Sequence, residues 1–125
     1  MREAVKKYIA EHYEDYVKDL EALTNIDSGN GDREDTEAAN KFVAEKMTAI
    51  GAATEFRYND RACHLISRLK GTGKYTILLV AHVDTVFKKG EAARRPFHVD
   101  ENNFAWGPGV GDDKATVAGV MAWKP

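Results

Sequence analysis

Residues 76–81 read Thr-Ile-Leu-Leu-Val-Ala, an apolar run with no polar residue after Thr76. A strand with one wet face alternates apolar and polar side chains, so an unbroken run predicts a central strand covered on both faces. The run leads directly into His82, Asp84 and Thr85. A core strand that ends in ionisable side chains delivers them to the C-terminal edge of a sheet, where open α/β folds bind ligands. Residues i and i+2 of a strand face the same way, so His82 and Asp84 point together. A neutral imidazole binds a metal through one nitrogen while a carboxylate accepts the other N–H. The same spacing also fits a hydrogen-bonded pair that closes the strand, and spacing alone leaves both readings open.

The flanking sequence places this strand in an α/β domain. Val5, Tyr8, Ile9, His12, Tyr13, Tyr16, Val17, Leu20 and Leu23 recur in steps of three and four and predict an amphipathic first helix. His12 reads as a packed helix-face residue within that stripe. "NIDSGNGDREDT" is loop chemistry, and a second helix starts near Asp32 to Asp35 with acidic residues in its first turn. Its apolar positions are Ala39, Phe42, Val43, Met47 and Ile50, and Gly51 is its natural C-cap. "ATEFRYN" and "ACHLISRLKG" alternate as strands, "GTGK" is a turn, and "FHVDENNFAWG" predicts a short hairpin. "GPGVGDDKATVAGVMAW" is a glycine-rich turn into a last helix with Val117, Val120 and Met121 on its apolar face. Helices and strands in this order predict an α/β domain with a mixed, mostly buried sheet. A helix placed so late needs a surface to pack on, and a further strand is expected after it.

Composition excludes several function classes. The 125 residues suit one domain, and 43% hydrophobic with 30% charged residues is ordinary for a globular chain. A net charge of −2 gives no electrostatic case for nucleic acid or an anionic membrane. The basic pairs Lys88-Lys89 and Arg94-Arg95 read as a solvated loop, or at most a rim for an anionic substrate. The single cysteine, Cys63, permits no internal disulfide and reads as a small buried hydrophobe. The charged N-terminus does not resemble a signal peptide, and no segment reaches the ~18 apolar residues of a membrane span. A cytoplasmic location is the expectation. His64 and His98 lie in alternating strands as sheet-face residues. Ser28 and Thr85 have no nearby base, so a serine-type nucleophile is unsupported.

The second place where chemistry concentrates is "WGPGVGDDK". Gly107, Gly109 and Gly111 permit tight turns, and Asp112 and Asp113 follow at the mouth of a helix. In a dinucleotide fingerprint Asp112 would occupy the third glycine's place, where its charge repels a pyrophosphate. No phosphate-binding G-x-x-x-x-G-K-[ST] loop exists either. Two adjacent carboxylates on a glycine-shaped loop suit a divalent cation. Helix capping by Asp112 or Asp113 is the competing reading.

In combination, "LLVAHVDTVF" followed by "PFHVDENNFAWGPGVGDDK" resembles the glutamate carboxypeptidase/aminoacylase family of dinuclear zinc metallopeptidases. "LTNIDSGNGD", residues 23–32, is similar to that family's N-terminal loop. The resemblance implies a partial zinc-exopeptidase-like α/β/α catalytic domain. Residues 1–125 would be its N-terminal portion, without the lid domain and C-terminal half. It implies that His82 binds one zinc, that Asp84 is the catalytic-site aspartate orienting His82, and that Asp112 bridges two metals. A cis Asp112–Asp113 peptide is implied as well. The implied cofactor is two Zn2+ per complete site, with Co2+ or Mn2+ as substitutes. The implied partners are a small peptide or N-acyl amino acid substrate and a second copy in a homo-oligomer, with no nucleic acid and no membrane. The general base and the remaining ligands would lie outside these residues. Ala115-Thr116 stands where the family pattern has Gly-Gly.

Overall fold

The computed structural model describes residues 1–123. The elements are α1 (Arg2–Thr24), α2 (Arg33–Ala49), β1 (Ala53–Tyr58), β2 (Cys63–Arg68), α3 (Glu91–Arg94), β3 (His98–Val99), β4 (Ala105–Trp106) and α4 (Ala115–Met121). The fold is α/β, as the order of apolar patterns predicts. Lys124 and Pro125, which follow the predicted last helix, lie outside the described residues.

Local chemistry explains most boundaries. Asp32 is the N-cap of α2, and its carboxylate accepts the Asp35 amide at 3.0 Å. Glu34 and Asp35 add acidic charge in the first turn, where the helix dipole favours it. Beyond α2, Gly51 turns the chain with φ +92°, a conformation costly for a side chain. β1 and β2 then pair antiparallel, with Ala53 opposite Arg68 and Tyr58 opposite Cys63. The Asn40 amide donates to the Cys63 carbonyl at 2.8 Å and ties β2 to α2. Cys63 is buried, and burial pushes its thiol pKa up, as suits a packed hydrophobe rather than a nucleophile. The β3–β4 hairpin forms where predicted, with Asn103 at φ +64° in its turn.

The core lies between the helices. Leu20, Leu23, Ala39, Val43, Met47, Val117, Ala118 and Met121 form one buried cluster that also includes Val83. Only the C-terminal part of α1 reaches it. Val5, Ile9 and Tyr13 are exposed although they continue the same stripe. His12 does pack on the helix face as expected, with its ring 4.3 Å from that of Tyr8.

The sheet departs from expectation. Residues 75–81 are not a strand and are not buried: Tyr75, Leu78 and Val80 are 90%, 84% and 82% exposed. Both two-stranded sheets are instead local hairpins, β1–β2 and β3–β4, so a mixed, mostly buried sheet is not formed among the described residues. The cause is a lack of neighbours. Residues 70–81 make no hydrogen bond among the described residues. A cleft of about 1260 Å3 separates this segment from β2. A ladder needs a partner at about 4.8 Å, so an apolar run without one remains an extended, unpaired chain.

Candidate metal centre

Immediately after the open segment the chain becomes tightly held. Val83 enters the core, and its carbonyl accepts the Ser28 hydroxyl at 2.7 Å. The Thr85 amide donates to the Ser28 carbonyl at 2.8 Å, and the Thr85 carbonyl accepts the Asn30 amide at 2.7 Å. These two bonds form a parallel bridge between Gly29 and Thr85. Asp27 continues the clamp, accepting the Gly90 and Ala92 amides at 2.7 and 2.9 Å where α3 begins. The loop 26–30 therefore fixes the backbone that carries His82 and Asp84.

His82 Nδ1 lies 3.1 Å from the Asp84 carbonyl and 3.3 Å from Asp84 Oδ1. Its Nε2 lies 3.1 Å from Asp112 Oδ1. The His82 amide donates to Asp113 Oδ2 at 3.4 Å. Partial burial pulls the imidazole pKa down. The Asp84 carbonyl and the charges of Asp84, Asp112 and Asp113 outweigh that and raise it. One ring nitrogen thus faces Asp84 and the other faces the glycine-shaped loop, although 30 residues separate His82 from Asp112 in sequence.

Asp112 reaches this position on a wide turn, Val110–Lys114, with extended dihedrals of φ −155° and ψ 90°. The Asp112–Asp113 peptide is cis, in agreement with the implied geometry. Neither carboxylate caps α4, so the capping reading is not the one realised. Gly109 precedes the turn at φ +76°, and a Cβ there would lie 2.7 Å from Thr85 Cγ2 and 3.3 Å from Lys114 Cδ. The turn can therefore sit against both residues only with glycine at this position.

Other residues singled out from the sequence lie apart. His64 meets Asn59 on the β2 surface, and His98 stacks on Trp106. Lys89 pairs with Asp35 at 2.9 Å, and Arg94 and Arg95 both pair with Glu91. These basic residues are held in local ion pairs. Three residues with positional roles give little signal in sequence. Ser28 and Asp27 look like generic loop chemistry, and Lys114 is a residue type rarely buried. Lys114 is 0% exposed, and its ammonium donates to the Ile26 carbonyl at 2.8 Å. Burial lowers its pKa to about 8, opposed by the charge of Asp27.

The donor set can be tested against zinc. One imidazole nitrogen and one carboxylate converge, and the Asp112 side chain is 90% exposed and open to further donors. No group of three His, Cys, Asp or Glu side chains suited to a metal forms among the described residues. A catalytic zinc takes about three protein ligands. The arrangement fits part of a metal site.

An α/β scaffold that presents an oriented histidine beside an open carboxylate defines a candidate divalent-metal half-site. In sequence, the chain is similar to carboxypeptidase G2 of Pseudomonas sp. (strain RS-16), at 37% identity over 109 residues. That match covers 84% of this chain and 26% of the carboxypeptidase, so the chain spans about a quarter of that relative's length. No family model matches the chain. Among the described residues no helix is long and apolar enough to cross a membrane.

Proposed function

We propose that this chain is the N-terminal part of a metal-dependent hydrolase of the glutamate carboxypeptidase/aminoacylase type. The whole protein would cleave an amide bond next to a free carboxylate, in a small peptide or an N-acyl amino acid. The observation that carries the reading is the convergence of His82 Nε2 and Asp112 Oδ1 at 3.1 Å, with His82 Nδ1 turned to Asp84. Similarity to a carboxypeptidase over most of the chain supports the same class. His82 and Asp112 would hold zinc, with cobalt or manganese as substitutes, and Asp84 keeps the imidazole oriented through Nδ1. When bound, such a metal supplies Lewis-acid polarisation of the scissile carbonyl and a more acidic water. The general base and the further ligands come from residues other than these.

The absence of a third donor among the described residues favours a second reading of the isolated chain: a non-catalytic folding or interaction module. Two measurements separate the readings. The full-length protein loaded with zinc or cobalt should hydrolyse dipeptides or N-acyl amino acids, and His82→Ala and Asp112→Ala should abolish this and reduce metal content. Absence of hydrolysis, together with unchanged metal content in His82→Ala, rejects the hydrolase. Tight stoichiometric zinc in the isolated chain rejects the non-catalytic module.

A further inference from the structure

We infer that Lys114 is a positioning residue that sets the separation of His82 and Asp112, by tying the Asp112 turn to the loop that fixes the His82 backbone. The inference rests on the metal-site reading above. His82 and Asp112 lie on segments with no regular element in common, so something must hold them in register. Loop 26–30 supplies one half of the connection. Ser28 Oγ holds the Val83 carbonyl at 2.7 Å, and Ser28 and Asn30 bracket Thr85. These bonds fix the residue after His82 and the residue after Asp84.

Lys114 supplies the other half. It lies two residues beyond Asp112, and its ammonium reaches the carbonyl of Ile26, at the start of the same loop. The stem is confined as well. A Cβ on Gly109 would lie 3.3 and 3.4 Å from Lys114 Cδ and Cε, so the turn itself packs along the side chain. The Lys114 amide also closes the turn on the Gly109 carbonyl at 3.0 Å. Both donors are thus referred to one short loop through hydrogen bonds from the buried side chains of Ser28 and Lys114. A lysine used only for surface charge has no reason to be fully enclosed, because burying its amine costs free energy that a single carbonyl only partly offsets. Fixing a ligand carrier is a role for which that cost is repaid: outer supports of metal ligands typically change affinity by about 10–100-fold.

The test compares Lys114→Met with Asn40→Ala at one fixed pH. Asn40→Ala removes a buried hydrogen bond, to the Cys63 carbonyl, that belongs to no part of this circuit. NMR reads the His82 ring nitrogens in the metal-free chain, and a Zn2+ titration followed by amide shifts gives the dissociation constant. Lys114→Met should displace the His82 ring signals and weaken zinc binding by about tenfold or more. Asn40→Ala should lower the thermal midpoint while leaving both readouts at wild-type values. Wild-type ring signals and zinc affinity in Lys114→Met overturn the inference, as does equal weakening by Asn40→Ala. If the wild-type chain shows no zinc-dependent shift, metal content of the full-length protein decides the metal-site reading, and the metal-free ring signals alone decide the positioning role. If Lys114→Met does not fold, Lys114→Gln takes its place. Its shorter polar end falls short of the Ile26 carbonyl while keeping hydrogen-bonding capacity, with the same displaced signals expected and wild-type signals overturning the inference.

Discussion

Two buried serine hydroxyls make a sharp test of how the clamp works. Ser28 Oγ donates to the Val83 carbonyl at 2.7 Å, and the residue is 2% exposed. Ser67 Oγ is also shielded from solvent but has no hydrogen-bond partner among the described residues. Ser28→Ala leaves a buried carbonyl unpaired, which costs about 1–3 kcal/mol. Ser67→Ala removes a hydroxyl that makes no bond, so it should be neutral or stabilising by up to ~1 kcal/mol. With a urea slope of about 1–3 kcal/mol per molar for a small domain, Ser28→Ala should lower the midpoint by roughly 1 M. Ser67→Ala should leave it level or raise it. Helical circular dichroism against urea reads both, and the slope should stay constant. Equal midpoints for the two variants would show that the Val83 carbonyl finds water as readily as Ser28. In that case loop 26–30 would not be the clamp described above.

Further expectations follow from the same geometry. His82→Ala should abolish any zinc-dependent spectral change while moving the thermal midpoint little, because the side chain is half exposed. The Asp100 carboxylate pKa is held below its ordinary 3.8, first by the Phe104 amide and then by the Trp106 indole. A depressed carboxylate pKa stabilises the fold above the unfolded value and is lost as pH falls through the folded one, so the β3–β4 hairpin should loosen only below about pH 4. The Trp106 indole resonance in an acid titration checks this, and a hairpin that opens near neutral pH contradicts it. Leu78→Lys, at a position 84% exposed, should leave the unfolding free energy unchanged within ~0.5 kcal/mol, read by urea denaturation. A large loss of stability there would mean that the segment is packed in solution.

What the sequence by itself determined is local. Asp32 and Gly51 bound α2 because a cap carboxylate and a positive φ are requirements of single residues. The hairpin at Asp100–Phe104 follows from turn chemistry within a few residues. The two-residue strand period predicts that His82 and Asp84 share a direction, and their side chains do meet, although residues 82–84 form no strand. Tertiary structure decided the rest, because burial and convergence belong to assemblies of segments rather than to any one of them. The run Thr76–Ala81 has the side chains of a central strand, yet among the described residues its backbone is unpaired and its faces are wet. Lys114 has the side chain of a surface residue, yet it is enclosed because a carbonyl from loop 26–30 lies within reach of its amine. The approach of His82 to Asp112 depends on that loop meeting both carriers at once, a geometry that no period in the sequence encodes.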